Sequence, residues 1–183
     1  MKTTSIFTKT KWKIDPFHSY IGFRVKHLKF SNLRGRFNEF DASIYTDGED
    51  FMTARIDFWL NPASIYTADE KRDAHLKSVD FFDVEIFKVI NFCANRYENS
   101  AEDGRYEMYG DLTIKGIKNE IKLEVIFSGI VRDPIGNDKA IFNIGGRMHR
   151  KDWELNWNAA LETGGVLVSE NIWIECEVQL IKQ

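Results

Sequence analysis

The chain has 183 residues, a formal net charge of −3 at pH 7 and an aromatic content of 14%. This length favours a single domain whose core needs neither a disulfide nor a metal for stability. The weakly acidic balance, with basic residues scattered along the sequence, gives no electrostatic reason to expect binding to nucleic acid. The sequence contains no apolar run of 18 residues, the length at which we would predict a membrane span.

The first residues, MKTTSIFTKTKWKID, lack the apolar stretch of a secretory signal peptide. We therefore expect a soluble cytoplasmic protein, or a periplasmic one if a leader has been removed. Residues 1–11 are polar and are predicted to be flexible, with one domain over residues 12–183. Cys93 and Cys176 stand inside predicted strands, where reduced thiols are favoured and a disulfide is the alternative.

Alternation of apolar and polar residues predicts eight β-strands. Turn signals such as Asp47-Gly48 and Asp103-Gly104 separate neighbours and predict that they pair antiparallel. The predicted strands are residues 20–27, 36–45, 54–60, 89–97, 105–114, 120–132, 140–149 and 171–182.

One helix is predicted after the third strand, within the segment SIYTADEKRDAHLKSVDFFD from Ser64 to Asp83. Thr67 and Glu70 have the spacing of a capping box, which predicts that the helix begins near Ala68. The rest of the chain has no comparable helical pattern, so this segment is the main interruption of the predicted sheet.

The predicted helix has an inward face that is partly apolar and partly ionisable. At 100° per residue, Arg72, His75 and Val79 lie on one face. Phe81 and Phe82 follow, and their rings would cover the point where the chain re-enters the core. We interpret the segment as a lid or plug.

The number of strands favours closure of the sheet. An open sheet of this length would expose its edges, whereas a barrel removes them. A barrel of about eight strands encloses a space that side chains fill or that holds one small ligand. A β-sandwich is the alternative, and in the barrel the helix would plug one end or flank the mouth.

The polar residues do not form an evident catalytic or metal-binding pattern. None of the four histidines stands at the spacing of a recognisable zinc site, so no metal site is predicted. Arg72, Asp73 and His75 resemble an acid–base group, but no nucleophile is evidently placed beside them, and no catalytic residue is predicted. The favoured interpretation is that Arg72 and His75 donate hydrogen bonds to strand-end carbonyls, with contact to a polar ligand head as the alternative.

Several segments occur in a specific order: WKIDPFHSYIGFRVKH, GRFNEFDASI, SIYTADEKRDAHLKSVDFFD, GDLTIKGI, DPIGN, LNWN, ETGGVLVS and IWIECEVQL. This order resembles the YceI-like polyisoprenoid-binding family from Trp12 almost to the end of the chain. The resemblance implies an all-β fold, an extended antiparallel eight-stranded lipocalin-like β-barrel with one short α-helix after the third strand. It also implies a long isoprenoid lipid as the ligand, no cofactor beyond it, and a bacterial homodimer.

Three positions depart from the pattern that the resemblance suggests. Phe87-Lys88 stands where family members often have Tyr-Pro, and Glu120 stands where a proline is common. Both are expected to alter only loop geometry. Glu154 stands where the family has glycine, and we expect its charge to change what enters the cavity.

The predicted function is non-enzymatic: the barrel would hold a polyprenyl phosphate or an isoprenoid quinone for transport, storage or sequestration. One alternative is an enzyme that acts on a lipid-like substrate through His18, Arg72 and His75. The other is a filled barrel that acts as a surface scaffold. The candidate ligand-binding residues are Phe23, Val25, Phe58, Leu60, Arg72, His75, Phe81, Phe82, Phe92, Leu112, Leu123, Val125, Phe127, Ile172 and Ile174.

Overall fold

The structure, a computed structural model, describes residues 9–183. Its strands form one antiparallel sheet. They are β1 (Lys9–Ile14), β2 (Tyr20–His27), β3 (Ser31–Phe37), β4 (Phe40–Asp47), β5 (Asp50–Leu60), β6 (Ile65–Tyr66), β7 (Ile90–Asn99), β8 (Arg105–Ile114), β9 (Ile117–Arg132), β10 (Asp138–His149) and β11 (Val168–Lys182). The helices of this part of the chain are α1 (Glu70–Lys77) and two 3₁₀ helices, Pro62–Ser64 and Arg150–Trp153. None of them is long and apolar enough to cross a bilayer.

The predicted eight-stranded barrel is confirmed. Within residues 9–183, the closed ring consists of β1, β4, β5, β7, β8, β9, β10 and β11. β1 completes it, because Trp12 lies opposite Ile44 of β4 on one side and opposite Lys182 of β11 on the other. Neighbouring strands run in opposite directions throughout the ring.

The strands that make up the ring differ from those predicted. β11 pairs with β1 through residues 180–182 and with β2 through residues 168–177. β1 and β2 therefore lie end to end along the same edge of β11, and β2 is not one of the eight ring strands. The predicted strand 36–45 is two strands, β3 and β4, because residues 38 and 39 leave the ladder. Their backbone N–H groups donate to the hydroxyl of Ser64, in the first 3₁₀ helix. The chain is thus interrupted between β1 and β2 and between β3 and β4. These interruptions separate a closed half of the barrel from a half in which β2, β3 and β6 diverge from the ring.

The barrel therefore has two unlike ends. We call the end with the β4–β5, β7–β8 and β9–β10 turns the closed end, because β1 completes the ring there. We call the opposite end the mouth; it carries the β2–β3 and β8–β9 turns, α1 and residues 150–167. Beside the mouth, β6 forms an edge of the sheet, and α1 packs next to it.

The predicted flexible segment, residues 1–11, extends too far. Lys9 already belongs to β1 and lies opposite Asp47. The lysines of β1 alternate with Trp12 and Ile14, which are buried, so the segment has a strand pattern despite its polarity. Residues 1–8 lie outside the described residues, and their flexibility stays a prediction.

The predicted capping box is wrong. α1 begins at Glu70, and its N-cap is Asp69, whose carboxylate accepts a hydrogen bond from the backbone N–H of Arg72 at 3.0 Å. Ala68, where the helix was expected to begin, has a left-handed backbone with φ of 62°. Thr67 therefore precedes a reversal of the chain and cannot cap the helix.

The closed end is filled by aromatic rings. Phe51 lies with its ring centroid 4.9 Å from that of Trp12 and 4.8 Å from that of Phe142, and Phe127 stacks on Phe142 at 5.0 Å. The buried indole N–H of Trp12 donates to the hydroxyl of Thr46 at 2.8 Å, so its polar atom is satisfied. This end of the barrel is a packed core.

Candidate functional site

The barrel contains a cavity of about 570 Å³. Phe142 and Met148, both on β10, line it, and their six-residue separation corresponds to about 20 Å along the strand. The volume lies within the range of small-molecule binding pockets. The barrel is therefore not filled, contrary to the filled barrel that the scaffold alternative assumed.

All the predicted ligand-binding residues except Phe127 line this cavity. Whether they bind a ligand stays a prediction. Those that line the cavity are Phe23, Val25, Phe58, Leu60, Arg72, His75, Phe81, Phe82, Phe92, Leu112, Leu123, Val125, Ile172 and Ile174.

Phe127 lies instead behind the cavity. Its ring contacts Phe51 at 5.2 Å and stacks on Phe142, and these two residues do line the cavity. Phe127 thus belongs to the packed closed end. Strand alternation predicted its face of the sheet correctly but contains no information on where the cavity ends.

The wall also contains residues that were not predicted from the sequence. Met108, Phe142 and Met148 line the cavity from β8 and β10, and the alternation of those strands could have identified them. Trp157 and Arg150 also line it, from a segment without periodicity. For these two residues, no local pattern indicated an inward position.

Hydrogen bonds fix the turn before α1 at the mouth. Arg72 donates from Nε to the hydroxyl of Thr67 at 2.8 Å and from Nη2 to the Thr67 carbonyl at 2.6 Å. The buried carboxylate of Asp73 accepts from the Thr67 backbone N–H at 2.9 Å. Since Thr67 directly follows β6, Arg72 bonds a strand-end carbonyl as the favoured interpretation proposed.

His75 does not bond to a strand-end carbonyl. Its Nε2 lies 2.9 Å from the carboxylate of Asp80, and its ring meets those of Trp157 and Phe81 edge-on, at centroid distances of 4.5 and 5.2 Å. Val79, predicted to share the inward face, is 73% exposed because α1 ends before it. The mouth is therefore bordered by an imidazole held between a carboxylate and two aromatic rings.

The residues of the enzyme alternative are not brought together. His18 contacts Asp15 at 2.9 Å, and Asp15 accepts a hydrogen bond from Lys139, at the start of β10 near the closed end. Arg72 and His75 lie at the mouth. β10 has 12 residues and spans about 40 Å, so His18 is too distant to act with them.

Glu154 does not place its charge in the cavity. Its side chain is exposed, and its backbone has φ of 56° at the end of the 3₁₀ helix. Glycine adopts this left-handed conformation without steric cost, which accounts for a glycine at this position in the pattern. Having glutamate in place of glycine at position 154 therefore adds backbone strain and does not alter the cavity wall.

The two cysteines are free, as predicted. Cys176 lines the cavity, and burial raises the pKa of its thiol to about 11. Burial and the carboxylate of Asp57 raise the pKa of the Cys93 thiol on β7. Within residues 9–183, no group of three or more His, Cys, Asp or Glu side chains could hold a metal ion.

Comparisons with known proteins agree with this geometry. The family model for the YceI-like domain matches residues 12–180. A UPF0312 protein of Staphylococcus aureus strain MSSA476 is 36% identical over 171 residues, which cover 93% of this chain and 96% of the relative. The solved YceI protein of Campylobacter jejuni is 27% identical, with a TM-score of 0.73 over 86% of this chain and 90% of that chain.

Two solved structures of lower identity share the fold. BcnA of Burkholderia cenocepacia is 17% identical, with a TM-score of 0.75 over 91% of this chain and 98% of its own. A polyisoprenoid-binding domain from Saccharophagus degradans, implicated in plant cell wall breakdown, is 12% identical, with a TM-score of 0.65 over 94% of this chain and 98% of its own. Because the family match spans most of the chain and a relative is 36% identical to it, the chain belongs to the YceI-like family.

Proposed function

We propose that this protein is a non-enzymatic lipid-binding protein that holds a long isoprenoid chain inside its barrel. The observation that carries the proposal is the apolar cavity, which aromatic rings close at one end and α1 borders at the other. The solved structure from Saccharophagus degradans that shares this fold is named a polyisoprenoid-binding domain, which supports the same ligand class.

The physics of burial favours a chain as the ligand. Each methylene transferred from water to such a wall contributes about 0.8 kcal/mol, so a long prenyl tail gains affinity along its whole length. Ordering the flexible tail offsets part of this gain. A cavity with few polar groups can therefore retain an isoprenoid without an elaborate polar site.

The role that we propose is to carry, store or sequester a polyprenyl phosphate or an isoprenoid quinone. Residues of one chain line the cavity, so the proposed binding does not require a partner subunit. The homodimer and the cytoplasmic or periplasmic location stay predictions.

The proposal is tested by measuring what the cavity contains and what it takes up. Native mass spectrometry of the protein from its own host, followed by organic extraction, should identify a stoichiometric prenylated molecule. Purified protein should also take up geranylgeraniol. A protein that is isolated empty and fails to take up prenyl lipids would contradict the proposal.

A matched pair of variants locates the binding. Ala42 lines the cavity from β4, and Ala42→Trp should occupy the space that the chain needs. We expect a loss of geranylgeraniol affinity of about tenfold or more. Ala101 is exposed in the β7–β8 loop, so Ala101→Trp should bind like the unaltered protein. Equal affinity in both variants would exclude the cavity as the binding site.

A further inference from the structure

Arg150 is a buried charge in the wall of the cavity. It begins the 3₁₀ helix that follows β10 at the mouth, it lines the cavity, and it is only 2% exposed. Removing a guanidinium from water costs several kcal/mol unless other groups compensate its charge and its hydrogen bonds. The groups around Arg150 therefore show whether its hydrogen bonds and its charge are compensated within the protein.

The partners of Arg150 are neutral main-chain carbonyls. Nε donates to Ser169 O at 3.0 Å, and Nη1 donates to Trp157 O at 2.9 Å and also to Leu155 O. Nη2 has no hydrogen-bond acceptor in the described part of the chain. Since a guanidinium has five N–H donors, the two on Nη2 remain unpaired in a buried position.

The charge of Arg150 also lacks a carboxylate partner among residues 9–183. Glu170, whose charge acts on Arg150, is bonded to its neighbours instead: it contacts His149 at 3.0 Å and forms an ion pair with Lys151. Burial lowers the pKa of the Arg150 guanidinium, and the charge of Glu170 only partly opposes this effect.

A structural role explains only part of this arrangement. Nε and Nη1 tie β11 to the segment after the 3₁₀ helix, because they bond Ser169, Leu155 and Trp157. Nη2 and the positive charge have no function in that network. Nη2 is inaccessible in this structure, so a partner reaches it only after a neighbouring side chain moves aside. A water molecule in that position would leave the charge uncompensated, whereas an anionic oxygen would satisfy both the N–H donors and the charge.

We infer that Arg150 binds an anionic oxygen, a phosphate or a carboxylate, on the head group of the lipid in the cavity. This inference rests on the proposed lipid-binding function and adds the class of head group and its place. Trp157, whose carbonyl bonds Arg150, has its ring against His75, so the head group lies at the mouth close to α1. The apolar chain then extends toward the rings of the closed end.

The test compares lipids that share one chain and differ in head group. Unaltered protein is titrated with geranylgeranyl phosphate and with geranylgeraniol, and affinity is expected to be about 10- to 100-fold higher for the phosphate. Arg150→Gln should remove this preference and leave the affinity for the alcohol within about twofold. Arg147→Gln, an exposed position on β10, should retain the preference. Oleate is titrated in parallel: weaker binding of oleate by Arg150→Gln than by the unaltered protein would support the carboxylate as a head group, and equal binding would overturn that part of the inference.

Two results would overturn the inference. One is equal affinity of the unaltered protein for the phosphate and the alcohol, a measurement that does not depend on any variant folding. The other is an Arg150→Gln protein that still prefers the phosphate. If Arg150→Gln does not fold, Arg150→Lys, which keeps the charge but not the planar fork, should show a reduced preference, and an undiminished one counts against the inference. Failure to bind either lipid would instead contradict the proposed function.

Discussion

The closed end and the mouth of the barrel use different residues where the backbone has positive φ. In the described turns of the closed end, these residues are glycines: Gly48, Gly104 and Gly136. At the mouth, the same left-handed region is also occupied by non-glycine residues, namely Leu28, Lys29, Ala68, Asp83, Lys115 and Glu154. Each such residue costs about 1–2 kcal/mol.

This difference parallels the distribution of side chains. The closed end combines unstrained turns with aromatic rings in contact, and so contributes stability. The mouth combines backbone strain with a buried arginine and an imidazole, and strain of this kind concentrates at ligand sites. We therefore expect stability and binding to depend on different ends of one barrel.

The largest effect is expected on the free energy of unfolding when a tryptophan is replaced by alanine at each end of the barrel. Trp12 at the closed end is fully buried, and Trp12→Ala should lower the free energy of unfolding by about 3–5 kcal/mol. Trp157 at the mouth is partly exposed and borders the cavity, so Trp157→Ala should cost about 1–2 kcal/mol. Urea unfolding measures both values. Equal losses would show that the mouth is packed as tightly as the closed end.

The accessibility of the cavity between the two ends can be measured by labelling the thiol of Cys176, which lines it. At pH 8, a pKa of about 11 leaves about one thiol in 1,000 ionised, so maleimide labelling of Cys176 should be slow. We expect Cys93 to react at least about tenfold faster, because its thiol does not line the cavity. Raising the pH should accelerate the labelling of Cys176, since more thiolate forms.

Ligand occupancy should affect only one of these thiols. Bound geranylgeraniol is expected to slow the labelling of Cys176 further and to leave Cys93 unchanged, as followed in Cys93→Ser and Cys176→Ser variants by mass spectrometry. Protection of both thiols, or of neither, would argue against a chain that runs through the cavity.

A smaller effect is expected from the hydrogen bonds that hold α1 at the mouth. Asp73→Ala leaves the Thr67 backbone N–H without its acceptor, which should lower the free energy of unfolding by about 2 kcal/mol. Asp73→Asn retains an acceptor oxygen and should lose about half as much. Hydrogen exchange at the Thr67 amide distinguishes the two, and a fast-exchanging amide in the unaltered protein would refute the assignment.

The smallest effect concerns the strain itself. Glu154→Gly should stabilise the protein by about 1 kcal/mol, because glycine accepts φ of 56° without a steric penalty. Glu85 is also exposed but does not have positive φ, and Glu85→Gly should be neutral or destabilising. Thermal unfolding compares the two variants. A loss of stability in Glu154→Gly would mean that this position carries no strain.

The strands that bury one face could be predicted from the sequence, because apolar and polar residues alternate along them wherever one face of a sheet lines a barrel interior. It missed β1, although the alternation in KTKWKI is regular, since a short lysine-rich strand resembles a frayed terminus. What orders β1 is its pairing with residues near the other end of the chain, and no local pattern contains that information.

The helix start and the polar part of the mouth were harder to predict. Thr67 and Asp69 are both good capping residues, and only the left-handed backbone of Ala68 decides between them. Arg150 follows a strand, where an arginine usually faces solvent. Its burial depends on carbonyls such as that of Ser169, which only the folded chain brings near.

The pairing of β1 with β11 has a consequence for the order of folding. Trp12 lies opposite Lys182, and the backbone N–H of Gln183 donates to Lys11 O at 3.0 Å. During synthesis, the ring cannot close until β11 has emerged from the ribosome. Until then, the edge of β1 that pairs with β11 has no partner. Contacts so distant in sequence slow folding, and we expect ring closure to be a late and rate-limiting step.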